Sequence, residues 1–148
     1  MQVLTRAETL KWLRANEIEL HGQYGPRTSD LKVSFSLPRD TAKRVALVLK
    51  HMEMFRISNR FAVVLTDWSV GLTPERMQEF LGFRLAHGES RWLIDAPGHL
   101  FARPELDSAK ELVALAARFE WDCHAVTRQR KRQMFISHDE FGLASHAP

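Results

Sequence analysis

The sequence predicts a single domain of the α/β or α+β class, in which helices pack on a mixed β-sheet. Segments with the two-residue period of strands alternate along the chain with segments that have the 3.6-residue period of helices. The last two apolar segments have no helix between them and predict a C-terminal antiparallel hairpin. The expected order is α-β-α-β-α-(β)-α-β-β, within one domain over residues 1–148.

The first predicted element is a helix from Arg6 to about Asn16, with Thr5 as its N-cap. Its buried side is expected to contain Ala7, Leu10, Leu13 and Trp12. Residues 17–30 contain two glycines, a proline and a serine and predict a loop. Residues 31–37 alternate apolar and polar side chains without a break, which is typical of a strand with one face in water.

Pro38 and Asp40 are start signals for a second helix, which is expected to end near Phe55. Its apolar residues at helical spacing are Ala42, Val45, Leu49 and Met52. Residues 61–65 form a continuous apolar run, which predicts a central strand covered on both faces.

Thr73 and Pro74 mark the start of a third helix, because a hydroxyl cap followed by proline suits the first helical turn. Its expected apolar stripe consists of Met77, Phe80, Leu81 and Leu85, and Gly88 is the expected stop. Residues 91–95 predict a short strand that closes in a turn at 96–98.

A fourth helix is expected to start between Pro104 and Ser108 and to end near Phe119. Its apolar residues at helical spacing are Leu106, Ala109, Leu112, Val113 and Ala116. Residues 121–127 and 133–138 then predict the two strands of the hairpin, joined by a basic turn.

Composition supports an ordinary soluble protein of the cytoplasm. Hydrophobic residues make up 45% of the chain and charged residues 26%, which argues against disorder. The apolar runs are far shorter than a membrane span, and the N-terminus lacks the apolar core of a secretory signal. Cys123 is the only cysteine, so an internal disulfide and any multi-cysteine metal centre are excluded.

Signatures of several enzyme classes are absent from the sequence. The chain contains no G-x-x-x-x-G-K-[ST], no G-x-G-x-x-G and no G-x-S-x-G, so phosphate loops, dinucleotide folds and nucleophile elbows lack support. We therefore expect no cofactor, and a role without catalysis is favoured over an enzyme.

Three residues are candidates for catalysis. Asp67 follows the predicted central strand, at the kind of strand end where open α/β sheets bind ligands. Asp95 and His99 flank the predicted turn at 96–98, and a carboxylate with an imidazole forms an acid–base pair if the fold joins them. The alternative is that all three are turn residues, which Asp commonly supplies.

The hairpin offers candidate metal ligands. Strand alternation puts Asp122 and His124 on one face, and an antiparallel partner brings His138 near them if the register allows. Carboxylate and imidazole ligands suit a divalent metal ion. The alternative, which we favour, is that Trp121, Cys123 and Ala125 face the core while these polar residues face water.

Basic residues provide candidates for binding nucleic acid or another anion. Residues 31–60 carry seven basic and two acidic residues, and a second basic group occupies the hairpin turn. The candidates are Lys43, Arg44, Lys50, Arg128, Arg130, Lys131 and Arg132. Aromatic residues that stack on bases are sparse beside them, so a solvated basic surface is the simpler interpretation.

These observations favour a small intracellular binding or interaction module, either an inhibitor or immunity-type protein or one that forms a homodimer. Its expected partner is another protein or a second copy of the chain, and no membrane is expected to be involved. Two alternatives remain: a small metal-dependent hydrolase that uses the Asp and His candidates, and a nucleic-acid-binding domain.

Overall fold

The structure, a computed structural model, describes residues 1–18, 31–53, 60–66, 73–91, 93, 96–127, 132–137 and 140–145. That part of the chain contains four α-helices and seven β-strands. The helices are α1 (Arg6–Ala15), α2 (Thr41–Glu53), α3 (Pro74–Ala86) and α4 (Leu106–Arg118). The strands are β1 (Gln2–Leu4), β2 (Leu31–Ser36), β3 (Phe61–Leu65), β4 (Gly98–Phe101), β5 (Cys123–Thr127), β6 (Arg132–Ile136) and β7 (Glu140–Ser145). A short 3-10 helix, Arg103–Glu105, leads into α4.

The strands form one sheet in the spatial order β1-β4-β3-β5-β6-β7-β2. The predicted class, helices packed on a sheet, is confirmed, as is the antiparallel hairpin β5-β6. Within the described residues every neighbouring pair is antiparallel, whereas a sheet of mixed direction was expected. The reason lies in the crossovers: the strands joined through α2 or α4 run in the same direction, but other strands separate them.

Two strands of the sheet were not predicted, and one prediction is shifted. β1 is only three residues long, and β7 contains a glycine that interrupts its apolar pattern. In the region of the strand predicted at 91–95, Trp92, Ile94 and Asp95 lie outside the described residues. The strand that the structure shows there begins at Gly98, inside the predicted turn.

β3 is the central strand, and it is buried on both faces as its continuous apolar run predicts. Phe61, Val63 and Leu65 belong to the larger core cluster, which also contains side chains of α2, α3 and α4. Ala62 and Val64 belong to a smaller cluster that includes side chains of α1. The sheet therefore has three helices on one face and one on the other.

α1 shows the predicted cap, and its buried side matches the prediction at Leu13 and in part at Trp12 but not at Ala7 and Leu10. The Thr5 hydroxyl accepts a hydrogen bond from the Glu8 backbone at 3.2 Å, and the Glu8 carboxylate accepts one in return from the Thr5 backbone. Thr9 and Leu13 are the buried residues of the helix, whereas Leu10 is 48% exposed and Ala7 is exposed. The Thr9 hydroxyl donates to the Thr5 carbonyl at 2.8 Å, so this small side chain is buried without an unsatisfied donor.

α2 buries a stripe that overlaps the predicted one only in part: Met52 is buried and Val45 packs against the core, as predicted. Arg44, Val48 and Met52 are buried at intervals of four residues, and Ala42 is exposed. Arg44 was a candidate for binding an anion, but its side chain is only 2% exposed. Its Nε atom donates to the Ala117 carbonyl at 2.8 Å and an Nη atom donates to the Ser137 carbonyl at 2.6 Å. This arginine therefore ties α2 to the end of α4 and to the segment after β6.

Two glycines provide a test of how closely α1 packs on β4. A Cβ added at Gly98 lies 2.3 Å from Thr9 Oγ1 and 3.2 Å from Leu4 Cβ, so Gly98→Ala is expected to lower the free energy of unfolding by about 1–3 kcal/mol. The control is Gly82→Ala in α3, where a Cβ meets nothing among the described residues within 4 Å. In that variant the free energy of unfolding is expected to rise by about 1 kcal/mol, because alanine favours a helix more than glycine does. Urea unfolding at low protein concentration measures the free energy of unfolding of both variants. Equal changes in the two would contradict the close packing of α1 on β4.

Candidate functional site

The candidate site is built around α3, whose two ends are defined by local signals in the sequence. The Thr73 hydroxyl accepts from the Arg76 backbone at 3.3 Å, and Pro74 occupies the first turn. At the other end Gly88 has a φ of +89°, and the Glu89 backbone donates to the Arg84 carbonyl at 2.9 Å. The chain therefore turns back at Gly88, and residues 89–91 lie beside the last turns of the helix.

α3 has two apolar faces rather than the single stripe predicted from its periodicity. Phe80 and Phe83 are buried in the core beneath the helix. Leu85, which was expected to be buried, is 68% exposed. Together with the partly exposed Met77 and Leu81 it forms an outer stripe at intervals of four residues. Phe80 and Phe83 share the inner side of the helix with a buried polar side chain, which acts as an anchor.

That anchor is Arg84, a residue that the sequence reasoning did not single out. Its side chain is 1% exposed, and its Nε atom donates to His99 Nε2 at 3.1 Å. Its two Nη atoms donate to the carbonyls of Leu93 and Ala96. The guanidinium carbon also lies 4.3 Å from the centre of the Phe80 ring. One side chain thus joins α3, β4 and the loop between them.

His99 takes part in this anchor as a neutral hydrogen-bond acceptor. It pairs with Val63 across the sheet and its side chain is fully buried. Burial, and next the Arg84 guanidinium, lower the pKa of His99 to about 3. Burial also lowers the pKa of Arg84 to about 10, so the arginine is charged and the histidine neutral at pH 7. Asp95, the other member of the predicted acid–base pair with His99, lies outside the described residues.

The outer stripe of α3 lines a groove of about 520 Å³, which we call the α3 groove. Its floor and one side are Met77, Gln78, Leu81, Gly82 and Leu85, and its other side is formed by residues 89–91. Arg91 donates to both carboxylate oxygens of Glu89 at 3.1 Å, and this hydrogen bonding lowers the pKa of the Glu89 carboxyl. The α3 groove is therefore apolar along the helix and charged along the loop.

The hairpin residues predicted as metal ligands are buried rather than solvent-facing. Asp122 is 8% exposed and His124 is fully buried, while Trp121, Cys123 and Ala125 lie in the core as expected. Gln133 Nε2 donates to His124 Nδ1 at 3.4 Å, and burial lowers the pKa of His124 to about 3. His138 lies outside the described residues, and within those residues no group of three metal-ligating side chains occurs.

The remaining candidates are dispersed or lie outside the described residues. Lys43 and Lys50 are exposed on α2, seven residues apart. Arg132 begins β6, but its side chain is not described. The other predicted residues, which are Asp67, Arg128, Arg130 and Lys131, fall in segments outside the described residues.

Comparisons of the chain with protein-family models, with curated proteins and with solved structures find no match. In the ranges that the structure describes, none of the helices has the length and apolar character to span a bilayer. The function must therefore be argued from the geometry of the site itself.

The Arg84 anchor can be tested by removing its hydrogen bonds. Arg84→Ala leaves the carbonyls of Leu93 and Ala96 and the imidazole of His99 without this donor, so we expect the free energy of unfolding to fall by about 3 kcal/mol. Arg84→Lys keeps a charge but lacks the planar fork, and it is expected to recover only a part of the loss.

The matched control for that experiment is Arg91→Ala. Arg91 is 64% exposed and pairs with Glu89 at the surface, so its removal is expected to leave the free energy of unfolding nearly unchanged. Urea unfolding gives both values. An Arg84→Ala variant as stable as Arg91→Ala would show that the buried hydrogen bonds do not hold α3 in place.

The two buried histidines predict a loss of stability in mild acid. Each takes up a proton near pH 6.5 in the unfolded chain but only near pH 3 in the folded one. The unfolded state therefore binds more protons in this window, and the free energy of unfolding falls as the pH drops below about 6.5.

The fall approaches about 1.4 kcal/mol per pH unit for each of the two histidines. Urea unfolding between about pH 5 and pH 7 measures the slope in a range where most carboxylates remain ionised. His124→Gln removes one group that takes up a proton on unfolding, so the free energy of unfolding is expected to change less steeply with pH in this variant. An unchanged slope in this variant would contradict the burial of a neutral His124.

Proposed function

We propose that this chain is a protein-interaction module whose binding surface is the α3 groove. The observation that supports the proposal is the exposure of Leu85, which is 68% accessible at the end of a continuous apolar stripe. Scattered apolar residues on a surface need no explanation, but an apolar groove with a charged side is typical of a protein-binding site.

The spacing of the stripe favours a helical partner. Met77, Leu81 and Leu85 recur every four residues, as in grooves that receive the apolar face of an amphipathic helix. A partner helix would cover Leu85 and complete the burial of Met77 and Leu81, which favours binding of moderate affinity. The charged side at Glu89 and Arg91 supplies orientation.

The inner anchor supports the same function because it makes the groove rigid. Arg84 lies in the lining of the α3 groove and is fixed on its inner side to β4 and to the loop at Leu93 and Ala96. A surface that is already in its binding conformation loses little conformational entropy when a partner docks. An inhibitor or immunity-type role is one form that such a module takes.

The hydrolase alternative gains less support from the described residues. His99 is fully buried and its Nε2 atom accepts from Arg84, whereas a general base must reach a substrate proton. The nucleic-acid alternative loses Arg44, which is bound to two carbonyls in the interior. The interaction module is therefore the function that we propose.

The proposal is tested by photo-crosslinking in cells that produce the chain natively. A photoreactive phenylalanine analogue at position 85 is expected to yield one discrete protein adduct, because Leu85 lies inside the proposed interface. The same analogue at Leu10, which is 48% exposed on α1 and outside the groove lining, is the matched control and is expected to yield none.

A second variant in the same experiment fills the groove. Gly82→Trp places a large side chain where a Cβ meets nothing among the described residues within 4 Å, and it is expected to abolish the adduct while the chain stays folded. Folding is checked by circular dichroism and urea unfolding. Equal adduct formation at positions 85 and 10, or an adduct that survives Gly82→Trp, would overturn the proposed surface.

A further inference from the structure

We infer that the α3 groove binds α3 of a second copy of this chain, in an antiparallel pair related by a two-fold axis at Leu81. The inference rests on the proposed function, because it names the occupant of the same surface. It adds a specific geometry, in which each copy supplies both the groove and the helix that fills it.

The first observation that supports this pairing is the symmetry of the outer stripe. Met77 and Leu85 lie four residues before and four residues after Leu81. When two such helices run in opposite directions about Leu81, each Leu85 meets Met77 of the second copy and the two Leu81 side chains meet each other. A two-fold interface requires a surface that is complementary to itself, and this stripe has that property.

The second observation is the glycine beside the proposed axis. Gly82 is exposed to solvent and lies midway along α3, where glycine favours the helix less than alanine does. A Cβ at this position would meet nothing among the described residues within 4 Å, so packing against those residues does not require glycine there. Close approach of a second helix favours glycine there, because the distance between two helix axes depends on the size of the side chains at the crossing point.

The third observation is the charge in the first turn of α3 and in the loop beside its C-terminal half. Glu75 is exposed in the first turn of α3, and Arg91 is 64% exposed beside the C-terminal half of the helix. Antiparallel pairing brings Glu75 of each copy toward Arg91 of the other, whereas parallel pairing would place like charges together. Arg91 uses Nε and one Nη atom for Glu89, and its guanidinium fork has further N–H groups for a second acceptor.

The length of α3 indicates the strength of the pair. A helix of 13 residues is about 20 Å long, so the contact is at the small end of the range for specific interfaces. We therefore expect a dimer that dissociates at micromolar concentration and not an obligate one.

Disulfide trapping tests the geometry directly, because Cys123 is fully buried and is the only cysteine in the sequence. Leu81→Cys places two thiols on the proposed axis, and oxidation with diamide is expected to link the chains. Met77→Cys alone and Leu85→Cys alone are expected to link poorly. Each leaves its own two thiols about 12 Å apart along the axis, beyond the reach of a disulfide.

An equimolar mixture of Met77→Cys and Leu85→Cys chains is then expected to form a mixed disulfide efficiently, because these two positions face each other. Leu10→Cys is the control for random collisions of exposed thiols. Linking of Leu81→Cys no faster than Leu10→Cys would overturn the inference, as would preferential linking of Met77→Cys to itself, which indicates parallel helices.

A charge exchange provides an independent test in the full chain. Sedimentation equilibrium is expected to show dissociation constants raised about fivefold by Glu75→Arg and by Arg91→Glu. The double variant, which carries both substitutions, is expected to restore much of the original affinity because the opposite charges face each other again. Losses that simply add in the double variant would overturn the antiparallel arrangement.

The outcomes separate this inference from the proposed function. The chain could stay monomeric at high micromolar concentration while the photoreactive residue at position 85 captures a different protein, in an adduct that Gly82→Trp abolishes. That result overturns the dimer but retains the interaction module. An adduct whose mass is twice that of the chain supports both. A monomer without any adduct at position 85 overturns both.

Discussion

The buried guanidinium of Arg84 is the constraint on which the arrangement of α3 depends. A charged group removed from water must find hydrogen-bond acceptors inside the protein, and here they come from two carbonyls and the Nε2 atom of His99. These acceptors lie on β4 and on the segment before it, so the helix, the loop and the strand have one mutual arrangement that satisfies them. The same requirement keeps His99 neutral, because only an unprotonated Nε2 atom accepts.

The outer surface follows from this inner constraint. With Phe80, Phe83 and Arg84 turned toward the sheet, Leu85 lies on the outer side of α3. Met77 and Leu81 lie between the two sides and are only partly exposed. The exposed apolar stripe is thus a consequence of the anchor, and the fold retains it in spite of the unfavourable contact of Leu85 with water. α3 therefore contributes to the stability of the fold through its inner face and to the proposed interface through its outer face.

Arg44 on α2 repeats the principle at a second place in the molecule. It too is buried, and it donates to the carbonyls of Ala117 near the end of α4 and of Ser137 after β6. The last carbonyls of a helix lack partners within the helix, so an arginine from a neighbouring helix stabilises them. Arg44, which the sequence suggested as a residue that binds an anion, therefore makes hydrogen bonds inside the fold.

The sequence alone determined the features that depend on near neighbours in the chain. The capped starts at Thr5 and Thr73, the strand at 61–65 and the apolar face of α4 follow from periodicity and local hydrogen bonding, which operate over one or two helical turns. Tertiary structure alone decided which apolar face of α3 lies inward, which arginines are buried and how the strands pair. Periodicity cannot choose between two apolar faces of one helix, because the buried arginine of α3 is satisfied by carbonyls and an imidazole of the next loop and strand, beyond the one or two turns over which periodicity operates.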